Sequence, residues 1–351
     1  MQTSSIHRIG RALSFRNISA IYIFIAIFVL FSLWVPETFL SGDMWKALLA
    51  SQAVTAVLAV GLVLALAAGA FDLAIGTELG LGSIFVAWLI GEHGLPIVPA
   101  IVLTLLVGVV IGAINGLLVV KVKIDSFIAT LGMSSVLLAL IAWISSSQQI
   151  LGLSKGFQSI GVTKVFGIAL PFYIMIGIAA VLWYVLDCTA TGRKIYATGG
   201  NIDAARLAGV PVSKVVVGSL VACGSIAALA GVLVSANLGT GDPTIGPGYL
   251  LPAFSAAFLG STQFRSGRFN ILGTVFAVYL LATGVKGLQL AGAPVWVPEL
   301  FNGLALLIAV GMARFETSTE RRAAVRRLLR RRDRSPVEPE REPATVAAAE
   351  K

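Results

Sequence analysis

The sequence reads as an all-α, polytopic membrane protein of about ten transmembrane helices, built as an inverted repeat (helices 2–5 and 7–10) with broken helices. Three features lead there. The 351 residues are 57% hydrophobic and only 12% charged, with mean hydropathy +0.91, whereas a soluble domain carries about 25% charge. Ten apolar stretches follow one another; at roughly 20 residues per crossing they take up roughly 200 residues and leave little for a separate soluble domain. Similar segments recur 170 residues apart. Composition thus excludes a soluble enzyme, a disordered chain and a nucleic-acid-binding module. The net charge of +9 sits at the chain ends and in short loops, where it reads as membrane orientation.

The first stretch, 18–35, follows Arg8, Arg11 and Arg16 and ends in Leu33-Trp34-Val35-Pro36-Glu37 without a small-residue cleavage pattern. It reads as a retained span after a cytoplasmic N-terminus of residues 1–17. The others are 47–68, 77–91, 100–120, 127–145, 169–187, 214–237, 250–260, 270–290 and 298–313. Counting from a cytoplasmic start puts Lys121, Lys123, Arg193, Lys194, Arg206, Lys214, Arg265 and Arg268 at the inner face. An even count also returns the tail, 314–351, to the cytoplasm. Nine arginines lie between Arg314 and Arg334, and Val325, Leu328 and Leu329 share one helical face, as in a short helix lying on anionic membrane lipids. Past Pro336 the composition is that of a solvated, disordered end.

The repeat rests on Asp72-Leu-Ala-Ile75-Gly76 and Asp242-Pro-Thr-Ile245-Gly246, with Asn115-Gly116-Leu117 and Lys286-Gly287-Leu288 keeping the register 171 residues apart. Five spans separate the copies, so they face opposite ways, and broken helices near such an axis line a solute path. Asp72, Ile75, Gly76, Asn115 and Asp242 are the candidate path residues. Asp72 and Glu78 stand in apolar sequence, where a carboxylate is costly. Asp72 either supports a broken helix, capping the helix that starts near Gly76, or sits at the inner interface as a plain cap. Asp242 lies in a turn-rich outer loop with Gly239, Gly241, Pro243, Gly246 and Pro247.

Other chemistry finds little support. Cys188 and Cys223 read as small buried hydrophobes. With His7 and His93 as the only histidines, no metal site and no catalytic residues are expected. Gly152-Leu-Ser154-Lys-Gly156 matches a nucleophile elbow in spelling, but without a preceding strand or a base. No phosphate-cradling GxxxxGK[ST] is present, so this chain binds no ATP by that motif, and any pumping draws on a partner or an ion gradient.

The longest interior connection is the most informative. Asn201 is a good N-cap, Asp203 follows in the first turn, Ala204, Ala205, Arg206, Leu207 and Ala208 favour helix, and Gly209-Val-Pro211 stops it. A helix of about two turns over 200–210 is expected, with Gly209 at positive φ and Arg206 as its one long cation.

Gly199-Gly200-Asn201-x-x-Ala204-Ala205-Arg206-x-x-Gly209-Val210 resembles the coupling segment of the ribose-type sugar permease family, the membrane subunits of binding-protein-dependent ABC importers. Phe71-Asp72-Leu73-Ala74-Ile75-Gly76, Phe127-Ile-Ala-Thr130-Leu-Gly132 and Gly241-Asp242-Pro-Thr-Ile-Gly246-x-Gly248-Tyr249 are similar to its further motifs, in family order over about 50–312. The resemblance implies a ten-helix permease in the bacterial inner membrane that pairs with a second permease chain, identical or paralogous. It also implies an ABC ATPase subunit holding ATP and Mg below and an extracytoplasmic sugar-binding protein above. Gly200, Asn201, Ala204, Ala205, Arg206 and Gly209 would be the ATPase-coupling residues. Departures from the pattern are Gly260-Ser-Thr-Gln-Phe-Arg-Ser-Gly267, Lys286 opposite Asn115, and the long basic tail. The alternative is a self-contained secondary transporter driven by an ion gradient, which has no use for a coupling helix.

Overall fold

The computed structural model describes residues 19–263 and 267–311. The N-terminal 1–17, Arg265 and the basic tail 314–351 lie outside the described residues. The described residues begin with α1 (Ser19–Trp34), the single turn α2 (Pro36–Phe39), and α3 (Gly42–Ser51), whose N-cap Ser41 accepts from Met44 N. A 40° bend at Gln52 leads into α4 (Ala53–Ala67). After an irregular segment come α5 (Ile75–Ala87), α6 (Ile97–Leu117) and α7 (Ser126–Ser145). A π turn extends α5 to Glu92 and another extends α6 to Val122. Then follow α8 (Lys155–Val162), the hairpin β1 (Lys164–Val165) with β2 (Ile168–Ala169), and α9 (Leu170–Cys188). The interior connection holds α10 (Ala190–Gly200) and α11 (Ile202–Leu207); α12 (Val212–Leu238), α13 (Leu250–Ser261), α14 (Ile271–Leu290) and α15 (Val297–Gly311) complete the bundle.

Six of these helices are long and apolar enough to cross a membrane, and the bent pair α3–α4 makes a seventh. The chain is an all-α polytopic membrane protein. By length this is fewer than the ten expected spans; the other three apolar stretches form the shorter helices α1, α13 and α15.

The layering follows from side-chain size. Every residue of α4 is buried, and α12 runs along α4, α5 and α6. At 27 residues, α12 is about 40 Å long, more than the apolar thickness of a bilayer. Its contact with α6 is a glycine stripe: a Cβ added at Gly116 would lie 2.9 Å from Val217 Cα, and one at Gly108 would strike Gly224 and Ala228. Small residues at four-residue spacing are how helices approach closely in lipid, where the hydrophobic effect supplies no force between them. The outer faces stay apolar, with Val98, Leu103, Leu106 and Val110 exposed along α6.

Ser154 is the N-cap of α8, accepting from Phe157 N. Two local expectations are corrected. Cys223 is buried but Cys188, at the end of α9, is exposed. The interior connection holds two helices where one was expected, because Thr189 caps α10 and Gly192, Ile195 and Thr198 pack inward.

Candidate functional site

The break between α4 and α5 is the centre of the site. Gly69, at φ +82°, turns the chain out of α4. Ala70 N still closes on Ala65 O of α4 at 3.0 Å, but the backbone beyond it has left the helix, and an unmet N–H inside a membrane costs several kcal/mol. The first turns of α7 satisfy it: Phe71 N donates to Ser126 Oγ at 3.0 Å and Leu73 N to Thr130 Oγ1 at 2.9 Å. Two separated sequence motifs are thereby bonded to each other.

Asp72 is fully buried, and its Oδ1 accepts from Ala74 N at 3.1 Å. The expected helix cap is not what forms: α5 starts after Ala74 with no side-chain cap, and Asp72 instead closes a turn two residues on. The Cys223 thiol of α12 lies beside its carboxyl. One turn into α5, Glu78 Oε1 accepts from Asn115 Nδ2 of α6 at 3.1 Å. Glu78 Oε2 and Asn115 Oδ1 have no hydrogen-bond partner among the described residues. The surrounding helices carry no cation over 53–67, 75–92, 97–117 or 126–145, and α12 carries only Lys214, in its first turn.

Replacing Glu78 tests this arrangement. Glu78→Gln keeps an oxygen for Asn115 and removes a buried ionisable group, so thermal stability in detergent should be equal or higher. Glu78→Ala strands the Asn115 amide and should cost about 1–3 kcal/mol. A lower melting temperature for Glu78→Gln than for Glu78→Ala would contradict it.

The second broken segment meets the first. Gly239, at φ +71°, ends α12, and the loop is pinned by paired backbone bonds between Ile150 and Gly241, both 2.9 Å. Asp242 Oδ1 accepts from Thr244 N at 2.8 Å, the same turn that Asp72 makes, and its Oδ2 accepts from Gln149 Nε2 at 3.0 Å. The Thr244 N–H, with the Thr244 hydroxyl and the Gln149 amide, holds the Asp242 carboxyl below its ordinary range. Gly246 then reaches Gly76: a Cβ on Gly76 would lie 2.9 Å from Gly246 O, and one on Gly246 would lie 2.6 Å from Gly76 O.

The structure therefore gathers Asp72, Ile75, Gly76 and Asn115 into one buried cluster. Asp242 stays outside it, in a surface loop, and its segment touches the cluster through Gly246. Glu78, to which the sequence assigned no role, is the residue that ties α5 to Asn115; a charge inside an apolar run was the signal.

The interior connection abuts the same break. The C-terminus of α10 packs on the end of α4, where a Cβ at Gly69 would lie 3.2 Å from Gly199 Cα. Asn201 Oδ1 accepts from Asp203 N and Ala204 N at 3.1 and 3.0 Å. Gly209 has φ +79°, with Gly209 N bonded to Arg206 O and Val210 N to Ala205 O, both 3.0 Å. This is a Schellman ending. Ala205 is buried; Arg206 is exposed and pairs with Asp203 at 3.6 Å. Ile202 and Leu207 are exposed, Leu207 at 90%.

Residues 44–310 match the family described as "Branched-chain amino acid transport system / permease component". The chain is 33% identical over 293 residues to the ribose import permease protein RbsC of Haemophilus influenzae, covering 82% of this chain and 90% of the relative. Against RbsC of Bacillus subtilis it is 36% identical over 265 residues, covering 75% and 82%. Against the D-allose transport system permease protein AlsC of Escherichia coli it is 29% identical over 303 residues, covering 86% and 93%. No solved structure matches. These relatives are transport subunits and not enzymes. The chain belongs to this permease family, among the ribose-type sugar permeases of ABC importers.

Proposed function

We propose that this chain forms the translocation path for a sugar or sugar-like solute and is driven by ATP hydrolysis in a separate ABC ATPase subunit. The observation that carries the reading is the packing of α10 against the end of α4, at the break that holds Asp72, with α11 following α10 directly. Through α10, a capped helix with exposed apolar residues is joined to the segment that would have to move. In this reading Gly200, Asn201, Ala204, Ala205, Arg206 and Gly209 form the ATPase-coupling surface, with Ile202 and Leu207 added. Asp72, Ile75, Gly76, Asn115 and Asp242 belong to the path and its closure.

Ten crossings, the bent and short helices included, put both termini in the cytoplasm. The Gly76–Gly246 contact supports the inverted repeat, because equivalent residues touch only at a symmetry axis. Residues 18–313 are the permease domain between the N-terminal 1–17 and the basic tail 314–351. A second permease chain, an extracytoplasmic sugar-binding protein and membrane lipids complete the assembly; ATP and Mg belong to the ATPase.

A gradient-driven carrier is the second reading, and the buried carboxyls of Asp72 and Glu78 are what favours it. The exposed Leu207 on a capped helix favours the first. The purified chain alone should hydrolyse no ATP and should co-purify with an ATPase subunit. ATP hydrolysis by this chain alone, or uptake abolished by an ionophore and indifferent to ATP, would overturn the reading.

A further inference from the structure

A cavity of about 160 Å³ lies among the α3–α4 bend, α13, α14 and α15. Gln52, Thr55, Tyr249 and Asn302 supply its polar wall, and Val278 and Leu281 part of its apolar one. Tyr249 lies three residues beyond Gly246, so the cavity adjoins the Gly76–Gly246 contact. Thr55 and the Asp72 break are at opposite ends of α4, about 18 Å apart.

The polar groups are unspent. Elsewhere in the bundle, Thr104, Thr130, Thr274 and Thr283 each donate to the carbonyl four residues back. The side chains of Gln52, Thr55, Tyr249 and Asn302 make no hydrogen bond to the described residues. Polar groups inside a membrane protein are costly unless something pairs with them. Among the described residues, no charged side chain lines the cavity. A zwitterionic amino acid would bring an ammonium and a carboxylate with nothing to meet either. A neutral polyol would meet two amides, two hydroxyls and an aromatic ring.

We propose that this cavity is a solute subsite of the path, where Gln52, Thr55, Tyr249 and Asn302 hydrogen-bond neutral polyhydroxylated solutes and the absence of charge disfavours amino acids. The subsite rests on the permease reading and deepens it. Few polar groups on an apolar wall suit orientation without tight retention, as a path requires.

The test uses the complete importer in cells, with labelled D-ribose, D-allose and L-leucine as probes. Thr55→Val combined with Asn302→Leu should lower sugar uptake about tenfold, the loss of two neutral hydrogen bonds. Assembly with the ATPase should be retained, and Thr104→Val, remote from the cavity, should change nothing. Unchanged uptake in the double variant overturns the subsite and leaves the permease reading standing. A wild-type importer that takes leucine, or neither sugar, overturns the sugar reading and the subsite with it. If the double variant fails to accumulate, Val285→Cys in a Cys188→Ser chain reads the same cavity. Ribose should slow its alkylation, and alkylation indifferent to ribose overturns the subsite.

Discussion

Gly246→Val should abolish uptake, and Gly246→Ala should lower it severely. A Cβ at Gly246 would lie 2.6 Å from Gly76 O and 3.2 Å from Gly80 Cα. Both neighbours are backbone atoms, which cannot rotate aside as a side chain can. Overpacking of this kind costs about 1–3 kcal/mol for small additions, with more expected for valine. The reciprocal change, Gly76→Ala, meets Gly246 O at 2.9 Å and Leu250 Cβ at 3.3 Å, so it should act in the same direction. If the two segments part during alternating access, the added methyl penalises only the closed state. Gly246→Ala would then keep its assembly with the ATPase while losing uptake. Thermal stability and uptake measured on the same preparation separate the two effects. Wild-type values for both would mean that the contact is neither tight nor part of the path.

The helices were legible because apolar runs end where charge or glycine begins. The stretch read as 127–145 is observed as Ser126–Ser145, and 270–290 as Ile271–Leu290. The ends of α11 were legible for a different reason: Asn201 and Gly209 each satisfy a local backbone demand that depends on no other part of the fold. α10 was not legible. Its sequence, ATGRKIYATGG, is poor in helix formers, and it is helical because Ile195 and Thr198 find a buried surface. The meeting of Gly76 with Gly246, of Gly199 with Gly69, and of Asn115 with Glu78 joins residues far apart in sequence. Spacing along the chain carries no such information. The turn at Asp72 was read as a helix cap because both use the same side-chain oxygen, and only the backbone path of residues 73–75 separates them.

Leu207→Asp should uncouple transport from ATP hydrolysis while the chain still inserts and folds. Six residues are too few to hold a helix in water, yet α11 is fixed at both ends, by Asn201 and by the turn at Gly209, and on one face by buried Ala205. What remains points outward: Leu207 at 90% exposure and Ile202 at 43%. A leucine so exposed contributes nothing to this fold, so its removal should leave stability within about 0.5 kcal/mol. In a docked interface the same side chain would be an anchor worth about 2 kcal/mol, or roughly thirtyfold in affinity. The exposed pair of Arg206 with Asp203 at 3.6 Å is weak and does not withhold Arg206 from a partner carboxylate. Arg206→Glu should therefore act with Leu207→Asp, in the same assay and in the same direction. Co-purification of the ATPase, its stimulation by solute, and uptake should all fall together. If both variants transport normally, and crosslinks from 202–207 reach lipid headgroups instead of a protein, then α11 is an interfacial anchor and the coupling assignment fails.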